Sequence, residues 1–198
     1  MEFQHEITKG NLSEANTLFN VIKLVSPTAK YSDQIMRFKQ ELIESNDADS
    51  FAGCGDLQRC NSAKEWLEIL KARKKPETTP KGSVPSDTYL AIRITDNKLV
   101  GIIDLRHHIN HPILSVWGGH IGYTVRPSER GKGYAKEMLR LNLLNCASRG
   151  IQNVLITCSS LNTASEKTIL ANGGVFEKEI TVDGEIIKRY WISVNIGD

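Results

Sequence analysis

The chain has 198 residues, 40% hydrophobic and 24% charged, which excludes a disordered chain and suits one domain with a continuous core. Its 25 Lys and Arg residues against 23 Asp and Glu residues give a net charge of +2, so the overall charge does not predict nucleic acid or an anionic membrane as a partner. The start of the chain lacks the basic-then-apolar pattern of a secretory signal, and the apolar runs are shorter than the roughly 20 residues that a membrane-spanning helix needs. We therefore expect a cytoplasmic protein.

The four cysteines agree with a reducing compartment. Cys54 and Cys60 lie close together, but no second Cys or His pair has the spacing of a zinc site. Cys146 falls in an apolar helix pattern and Cys158 at the end of an apolar strand pattern, so both are expected in the core. The sequence therefore predicts no metal and free thiols.

The first half of the chain is predicted to be irregular, with amphipathic helices between loops. In chain order the predicted elements are a strand at 21–25, a helix at 32–45, a loop at 46–61, a helix opened by the capping box of Ser62 and Glu65, and a linker or surface loop at 74–86. These segments carry no catalytic motif.

The second half is more regular and predicts an α/β (α+β) fold. Its predicted elements are strands at 89–94 and 99–105, a strand at 120–125, a helix at 131–149 closed by Gly150, a strand at 154–158, a helix at 162–170, and strands at 175–182 and 185–194 around Asp183-Gly184. The central strand–helix–strand unit implies a right-handed crossover between parallel strands, whereas the hairpins imply antiparallel edges. The sheet is therefore expected to be mixed.

A glycine-rich loop between the strand at 120–125 and the following helix is the most informative segment. Gly131 and Gly133 have no Cβ atom, so backbone N–H groups can approach an anion closely, and the helix start adds free N–H groups and the positive end of its dipole. Arg126, Arg130 and Lys132 are expected to add positive charge there. The loop therefore predicts a site for a pyrophosphate or a similar group.

Two common phosphate-binding motifs do not fit this loop. A P-loop has Gly, four residues and then Gly-Lys-Ser/Thr, but here Gly131-Lys132 is followed by Gly133 and position 126 is arginine. A Rossmann fingerprint requires a third glycine where this chain has Lys136. A nucleotide-binding protein that uses the same loop stays an alternative.

The loop matches Arg-x-x-Gly-x-Ala at Arg130, Gly133 and Ala135, and it resembles the acyl-CoA loop of the GNAT superfamily of N-acetyltransferases. Asn162 and Ser165, in a short helix followed by Gly173-Gly174, resemble the Asn-x-x-Ser helix of the same superfamily.

The resemblance covers 88–192, where the chain is similar to a group of bacterial predicted acetyltransferases. It is weaker over 24–85, and the first 19 residues have no counterpart.

The resemblance implies a mixed sheet splayed between the strands at 120–125 and 154–158 and flanked by helices, with acetyl-CoA in the cleft. Backbone groups of Tyr123 and Val125 would pair with the pantetheine arm like an added strand. The implied cofactor-binding residues are Tyr123, Thr124, Val125, Arg130, Gly131, Lys132, Gly133, Tyr134, Ala135, Asn162 and Ser165.

Acetyl transfer also requires a base for the acceptor ammonium and an N–H group that polarises the thioester carbonyl. The backbone N–H of Tyr123 or Thr124 is expected to polarise the carbonyl. The candidates for the base are Asp104, His107, His108 and His120. A histidine suits this role because its pKa lies near neutrality, although each of these histidines also suits a structural hydrogen bond.

The sequence departs from the family at the residue that protonates the leaving thiolate. Many members have a tyrosine where this chain has Ile169, which cannot donate a proton. The cluster of Arg106-His107-His108 with Asn110-His111 is interpreted either as a binding site for a carboxylate or phosphate of the acceptor or as a solvated turn.

We interpret the chain as one N-acetyltransferase domain, 1–198, with an acceptor-side region at 20–86 and an acetyl-CoA-binding core at 87–194. The predicted reaction is direct transfer from acetyl-CoA to a primary amine of a small molecule or peptide, in a monomer or homodimer and without a metal. The alternative is a non-catalytic acyl-CoA sensor of the same fold. Another acyl donor, such as succinyl-CoA, and the identity of the acceptor stay open.

Overall fold

The computed structural model of the chain describes residues 21–46 and 51–194. Predictions for residues 1–20 lie outside these ranges, as does part of the loop predicted at 46–61. The helices are α1 (Ser32–Ser45), α2 (Ala63–Arg73), α3 (Tyr134–Ser148) and α4 (Thr163–Leu170). The strands are β1 (Ile22–Val25), β2 (Ser86–Arg93), β3 (Leu99–Arg106), β4 (Tyr123–Val125), β5 (Asn153–Ser159), β6 (Val175–Val182) and β7 (Glu185–Ser193).

The described strands form two antiparallel sheets, with the orders β1-β2-β3-β4 and β5-β7-β6. The sheets meet just before β4, where the backbone N–H of His120 donates to the carbonyl of Leu155 at 2.8 Å. Beyond this junction β4 pairs with β3 and β5 pairs with β7, so β4 and β5 are splayed apart. This confirms the predicted α/β fold with a splayed central sheet. Every pair among the described strands is antiparallel, so the parallel pairing expected between the strands at 120–125 and 154–158 is replaced by the splay.

Helices cover both faces of the first sheet. On one face α1 and α2 pack around Phe38 and Trp66, and on the other α3 and α4 pack around Met138 and Ile169. All four side chains are fully buried. The α3–α4 core also includes residues of β5 and β7, so it holds the two sheets together below the splay.

Two predicted elements are shorter than the sequence pattern indicated. The strand predicted at 120–125 is regular only from Tyr123, because the N–H of Gly122 bonds to the side chain of Asp104 at 2.6 Å instead of a ladder carbonyl. The helix predicted at 131–149 begins at Tyr134, because Gly131 and Gly133 adopt left-handed φ values of 76° and 80°.

The sequence predicts a polar loop at 46–61, but residues 51–61 of this stretch contribute several side chains to the core. Leu57 and Cys60 are buried, and the indole N–H of Trp66 donates to the carbonyl of Cys54 at 2.8 Å. The predicted cap of α2 is confirmed, because Oγ of Ser62 accepts the N–H of Glu65 at 3.2 Å. This segment therefore has a fixed position over the first sheet.

The cysteines at 54, 60, 146 and 158 are free and buried, so the predicted core positions of Cys146 and Cys158 are confirmed. Among the described residues, no three or more His, Cys, Asp or Glu side chains are grouped so that they could hold a metal ion. None of the described helices combines the length and apolar character needed to cross a membrane.

Candidate active site

The edge of β4 that faces the splay carries the backbone groups of Tyr123 and Val125. The carbonyl of Gly122 accepts the N–H of Asp104 at 3.0 Å, so Gly122 directs this group toward β3. Because successive residues of a strand direct their backbone groups to opposite edges, Tyr123 and Val125 direct theirs toward the splay. The N–H of Thr124 points toward β3. Of the two N–H groups predicted to polarise a thioester, that of Tyr123 therefore faces the splay.

The glycine-rich loop leads from β4 into the N-terminus of α3. A Cβ atom built on Gly131 or Gly133 would have no heavy atom within 4 Å, so the space beside both residues is open. The first helical hydrogen bond of α3 runs from the N–H of Glu137 to the carbonyl of Gly133, at 3.3 Å. The N–H groups of residues 134–136 lie before it in the chain and therefore have no acceptor within the helix. Open space, helix-end N–H groups and the helix dipole together suit an anion.

A buried carboxylate fixes this loop to the first sheet. Glu129 is 4% exposed, and its oxygens accept hydrogen bonds from Lys132 at 2.7 Å, Lys98 at 2.5 Å and Arg93 at 2.8 Å. The hydrogen bonds from Lys132 and Lys98 lower the pKa of Glu129 to about 2. Because Arg93 and Lys98 flank the turn between β2 and β3, Glu129 couples the loop to that turn.

The expectation that Arg126 adds charge to the loop is wrong. Its guanidinium is buried and donates to the carbonyl of Leu99 at 2.8 Å and to Glu41 at 3.0 Å, so it joins α1 to the start of β3. Arg130 lies at the loop itself, where its Nε donates to the carbonyl of Val125 at 3.3 Å.

On the opposite side of the splay, α4 presents two of the predicted cofactor residues. Asn162 caps the helix, because its Oδ1 accepts the N–H of Ser165 at 2.9 Å. Oγ of Ser165 lies 2.8 Å from the hydroxyl of Tyr123, so a side chain of β4 reaches α4 across the splay. Burial raises the pKa of Tyr123 to about 12, so this hydroxyl keeps its proton at neutral pH. Ile169, farther along α4, is fully buried and offers no proton.

Asp104 is a buried carboxylate beside Gly122 on the face of β3 that α1 and α2 cover. One oxygen accepts the N–H of Gly122 at 2.6 Å, and the other lies 3.3 Å from the guanidinium of Arg106. Burial raises the pKa of Asp104 above its ordinary value. This carboxyl group is therefore easier to protonate than an exposed aspartate.

The segment around Gly53, in the region expected to bind the acceptor, lies directly on the start of β4 beside Asp104. A Cβ atom on Gly53 would lie 2.1 Å from the carbonyl oxygen of Gly122, so the two backbones touch. The hydroxyl of Thr124 donates to the carbonyl of Ala52 at 2.7 Å. These contacts bring the first half of the chain, which has no catalytic motif, to the predicted reaction site.

The predicted histidines lie in different environments. Nε2 of His107 is 3.0 Å from the carboxylate of Asp87, which also binds Arg149 at the end of α3, and His108 is exposed. Nδ1 of His120 accepts the N–H of Leu155 at 2.9 Å, and burial lowers the pKa of His120 to about 4. The base role of each histidine stays a prediction.

The predicted cluster after β3 makes contacts with the protein's own backbone. Arg106 donates to the carbonyl of Gly118 at 2.7 Å, and Nε2 of His111 lies 3.1 Å from the carbonyl of Gly82. These contacts hold the cluster in a turn, and its expected role in binding a carboxylate or phosphate of the acceptor stays a prediction.

Two residues that support the site were not identified from the sequence. One is Glu129, which looks like an ordinary surface charge in a charged loop. The other is Asn142, which is fully buried in α3 and donates from Nδ2 to the carbonyl of Asp104 at 2.9 Å. Asn142 interrupts the apolar helix face that contains Leu139 and Cys146. This polar residue on an apolar face is the feature of the sequence that indicates a buried hydrogen bond.

Comparisons with known proteins agree with this geometry. The sequence model of the acetyltransferase (GNAT) domain matches residues 32–175. A search of curated proteins gives no significant match.

Several solved structures have a similar fold. RimL, the ribosomal L7/L12 α-N-protein acetyltransferase, in complex with coenzyme A, is 18% identical with a TM-score of 0.62, over 90% of this chain and 97% of that chain. An acetyl transferase from Salmonella typhimurium that modifies the N-terminal serine of protein L7/L12 is 16% identical with a TM-score of 0.61, over 89% and 96%. A chimera of spermidine N-acetyltransferase SpeG from Vibrio cholerae and hSSAT is 15% identical with a TM-score of 0.59, over 88% and 96%.

At these identities the solved structures establish a common fold, whereas the domain match extends over most of the chain and includes the glycine-rich loop and α4. The chain therefore belongs to the GNAT family of acetyltransferases.

Proposed function

We propose that this protein is an N-acetyltransferase that transfers the acetyl group of acetyl-CoA to a primary amine of a small molecule or peptide, directly in a ternary complex. The observation that carries the proposal is the splay, which is closed at His120, bridged by Tyr123 and Ser165, and continued by the glycine-rich loop. Membership of the family supports acyl transfer from CoA. The similar structures include enzymes described as acting on a protein N-terminus and on spermidine, both of which present primary amines.

Acetyl-CoA, as the acyl donor, would lie along β4 with its pyrophosphate on the loop. The backbone groups of Tyr123 and Val125 would pair with the pantetheine arm, and the N–H groups of 131–135 would hold the pyrophosphate. Arg130 and Lys132 would add charge at the same place. The N–H of Tyr123 would polarise the thioester carbonyl.

Asp104 is the general base in this proposal. It lies on the face where the acceptor-side segment meets β4. Its raised pKa makes this carboxylate a stronger base than an exposed aspartate. His107 is held by Asp87 of β2, which also binds Arg149 at the end of α3, and His108 is exposed just after β3. Removal of the ammonium proton by Asp104 leaves the neutral amine that attacks the thioester.

Tyr123 and Ser165 supply the proton for the leaving thiolate. Their hydroxyl groups are in hydrogen-bond contact, and they lie on the two sides of the splay, next to the position where the family tyrosine is replaced by Ile169. A tyrosine with a pKa of about 12 is protonated throughout the neutral range and can donate.

The acceptor-side region, 20–86, would bind the amine through the segment around Gly53. The four buried free thiols support the cytoplasmic location predicted from the sequence. Whether the protein acts as a monomer or homodimer is decided by measuring its mass in solution.

The direct test is thiol release from acetyl-CoA in the presence of peptides with a free N-terminal serine, polyamines and small primary amines. Turnover with any of them supports the enzyme, and succinyl-CoA in parallel defines the donor. ATP that competes with acetyl-CoA at equal strength would instead favour a nucleotide-binding protein.

A non-catalytic acyl-CoA sensor is the second candidate, favoured by Ile169 in place of the family tyrosine. For a sensor, calorimetry would detect CoA binding while no amine in the panel is acetylated.

A further inference from the structure

His120 joins the two sheets through three hydrogen bonds. Its backbone N–H donates to the carbonyl of Leu155 at 2.8 Å, and its carbonyl accepts the N–H of Arg106 at 2.8 Å. Its side chain adds the third bond, because Nδ1 accepts the N–H of Leu155 at 2.9 Å. The imidazole therefore acts as the hydrogen-bond acceptor that a backbone carbonyl provides in a regular sheet. His120 thus bonds to both the N–H and the carbonyl of Leu155.

The residue before His120 permits this close approach. Gly119 has a φ of 64°, and a Cβ atom on it would lie 2.6 Å from the carbonyl oxygen of Leu155. The guanidinium of Arg106 also donates to the carbonyl of Gly119 at 3.1 Å. A side chain at position 119 would thus push the two sheets apart where His120 joins them.

The segment that leads into this junction is itself fixed to the second sheet. A π-helical turn spans Leu114–Gly118, a form that is rare and recurs at functional sites. Arg189 of β7 donates to the carbonyl of Ser115 at 2.9 Å, and the hydroxyl of Thr157 of β5 donates to the carbonyl of Trp117. The junction is therefore anchored on both sheets.

The hydrogen bond to Leu155 identifies the tautomer of His120. A neutral imidazole has one lone pair, and here it lies on Nδ1 and accepts the N–H of Leu155, so the proton is on Nε2. If Nδ1 were protonated, its N–H and the N–H of Leu155 would face each other as two donors with no acceptor between them. Burial is the main cause that lowers the pKa of His120 to about 4, and Arg106 acts in the same direction, while the contact with the backbone of Leu155 opposes it. The net lowering keeps the neutral imidazole at neutral pH. The Nδ1 lone pair, which His120 would need to act as a general base, is therefore occupied by the hydrogen bond from Leu155.

We propose that His120 is a positioning residue, whose imidazole fixes the amide of Leu155 and thereby sets the point at which β4 and β5 diverge. This inference rests on the proposed function, because the splay matters only if the acyl donor binds there. It replaces the general-base role predicted for His120 and leaves that role to Asp104.

Two substitutions separate the positioning role from the base role. In His120→Asn, Oδ1 takes the place of Nδ1 and can accept the same N–H, whereas His120→Leu fills the space without an acceptor. We expect His120→Asn to keep CoA affinity and kcat/KM within about threefold, and His120→Leu to lose about tenfold or more of the CoA affinity. The pH profile of the Asn variant keeps its acidic limb. If His120 were the base, the Asn variant would lose about a hundredfold in kcat and the acidic limb, with CoA affinity intact.

A spectroscopic measurement tests the inference without any turnover. Two-bond ¹H–¹⁵N correlation of the imidazole at pH 7 should show Nδ1 unprotonated and Nε2 protonated, and the amide of Leu155 should be protected from hydrogen exchange. A proton on Nδ1, or a titration of His120 above pH 6, would overturn the inference. Both readouts remain valid if His120→Leu does not fold. They also remain valid if no amine is acetylated, an outcome that counts against the proposed function alone.

Discussion

The hydroxyl of Tyr123 lies 2.8 Å from the hydroxyl of Ser165, and this contact joins β4 to α4 across the splay between β4 and β5. Both residues were expected to bind the cofactor, but their contact with each other was not expected. It places two protic groups on the path of the proposed pantetheine arm, in a protein that has Ile169 where its resemblance to the family implies a tyrosine. The contact is the basis for assigning the proton donor.

Replacing Tyr123 by phenylalanine tests this donor. The ring keeps its packing, but the proton is lost, so we expect kcat to fall about a hundredfold while KM for acetyl-CoA stays within about threefold. The kcat of the Ser165→Ala variant should fall by a similar factor. The kcat of the double variant should be no lower than that of the less active single variant, because the two hydroxyls act as a unit. Steady-state thiol release measures all three variants. Wild-type kcat in Tyr123→Phe would exclude the Tyr123 hydroxyl as the proton donor.

Asp104→Asn tests the proposed base. The amide oxygen can still accept the N–H of Gly122, but it cannot take a proton, so kcat/KM should fall about a hundredfold or more with CoA affinity unchanged. Since burial raises the pKa of Asp104, wild-type activity should decline as the pH falls through this raised pKa. Asp183→Asn, at an exposed turn, is the matched control and should be fully active. An active Asp104→Asn enzyme with an unchanged acidic limb would contradict the assignment.

Two glycines at opposite ends of α3 provide a matched test of the loop. Gly133 precedes the helix and Gly150 follows it, with φ values of 80° and 73°, and a Cβ on either would meet no heavy atom within 4 Å. Alanine at each position should therefore cost a similar backbone strain of about 1 kcal/mol, and the melting temperatures should fall equally. Only Gly133→Ala should weaken CoA binding, by about tenfold, because its methyl group would lie where we propose that the pyrophosphate binds. Calorimetry that finds equal CoA affinities would rule out the loop as the pyrophosphate site.

Glu129→Gln tests the anchor of the loop through its pH dependence. The pKa of Glu129 is lowered from 4.5 to about 2, so its ionised form stabilises the folded protein above pH 4.5, and this contribution is lost as the pH falls toward 2. We expect the variant to be less stable by about 2 kcal/mol at pH 7, the range for hydrogen bonds to a charged group. Urea unfolding at pH 7 and pH 3 should show the difference shrinking at the lower pH. A difference that is the same at both values would mean that the charge of Glu129 is not responsible.

The elements that local patterns control were predictable from the sequence. The fourteen-residue helix α1 was predicted with its observed bounds, and Asp183-Gly184 forms the expected turn with φ values of 50° and 85°. The cap of α2 by Ser62 and the glycine after α3 are also local features. Each depends on residues that are neighbours in the chain, so a short window of sequence contains the information.

The parts that failed depend on contacts between distant segments. Arg126 looked like a loop cation, but its partners Glu41 and Leu99 are remote in the chain and draw it into the core. The shortening of β4 depends on the carboxylate of Asp104 reaching Gly122, which strand periodicity does not reveal. The role of a side chain such as Asn142 likewise follows only from tertiary packing.

The central claim is that the acetyl group moves from CoA to an amine bound over β4. The most direct measurement uses acetyl-CoA labelled with ¹³C in the acetyl group, with the best amine from the panel, and follows the label by mass spectrometry and NMR. We predict that the label appears as an amide on the acceptor amine, at a rate that falls in Asp104→Asn and Tyr123→Phe. Label that stays on CoA bound to the protein, or that is released only as acetate, would contradict the account.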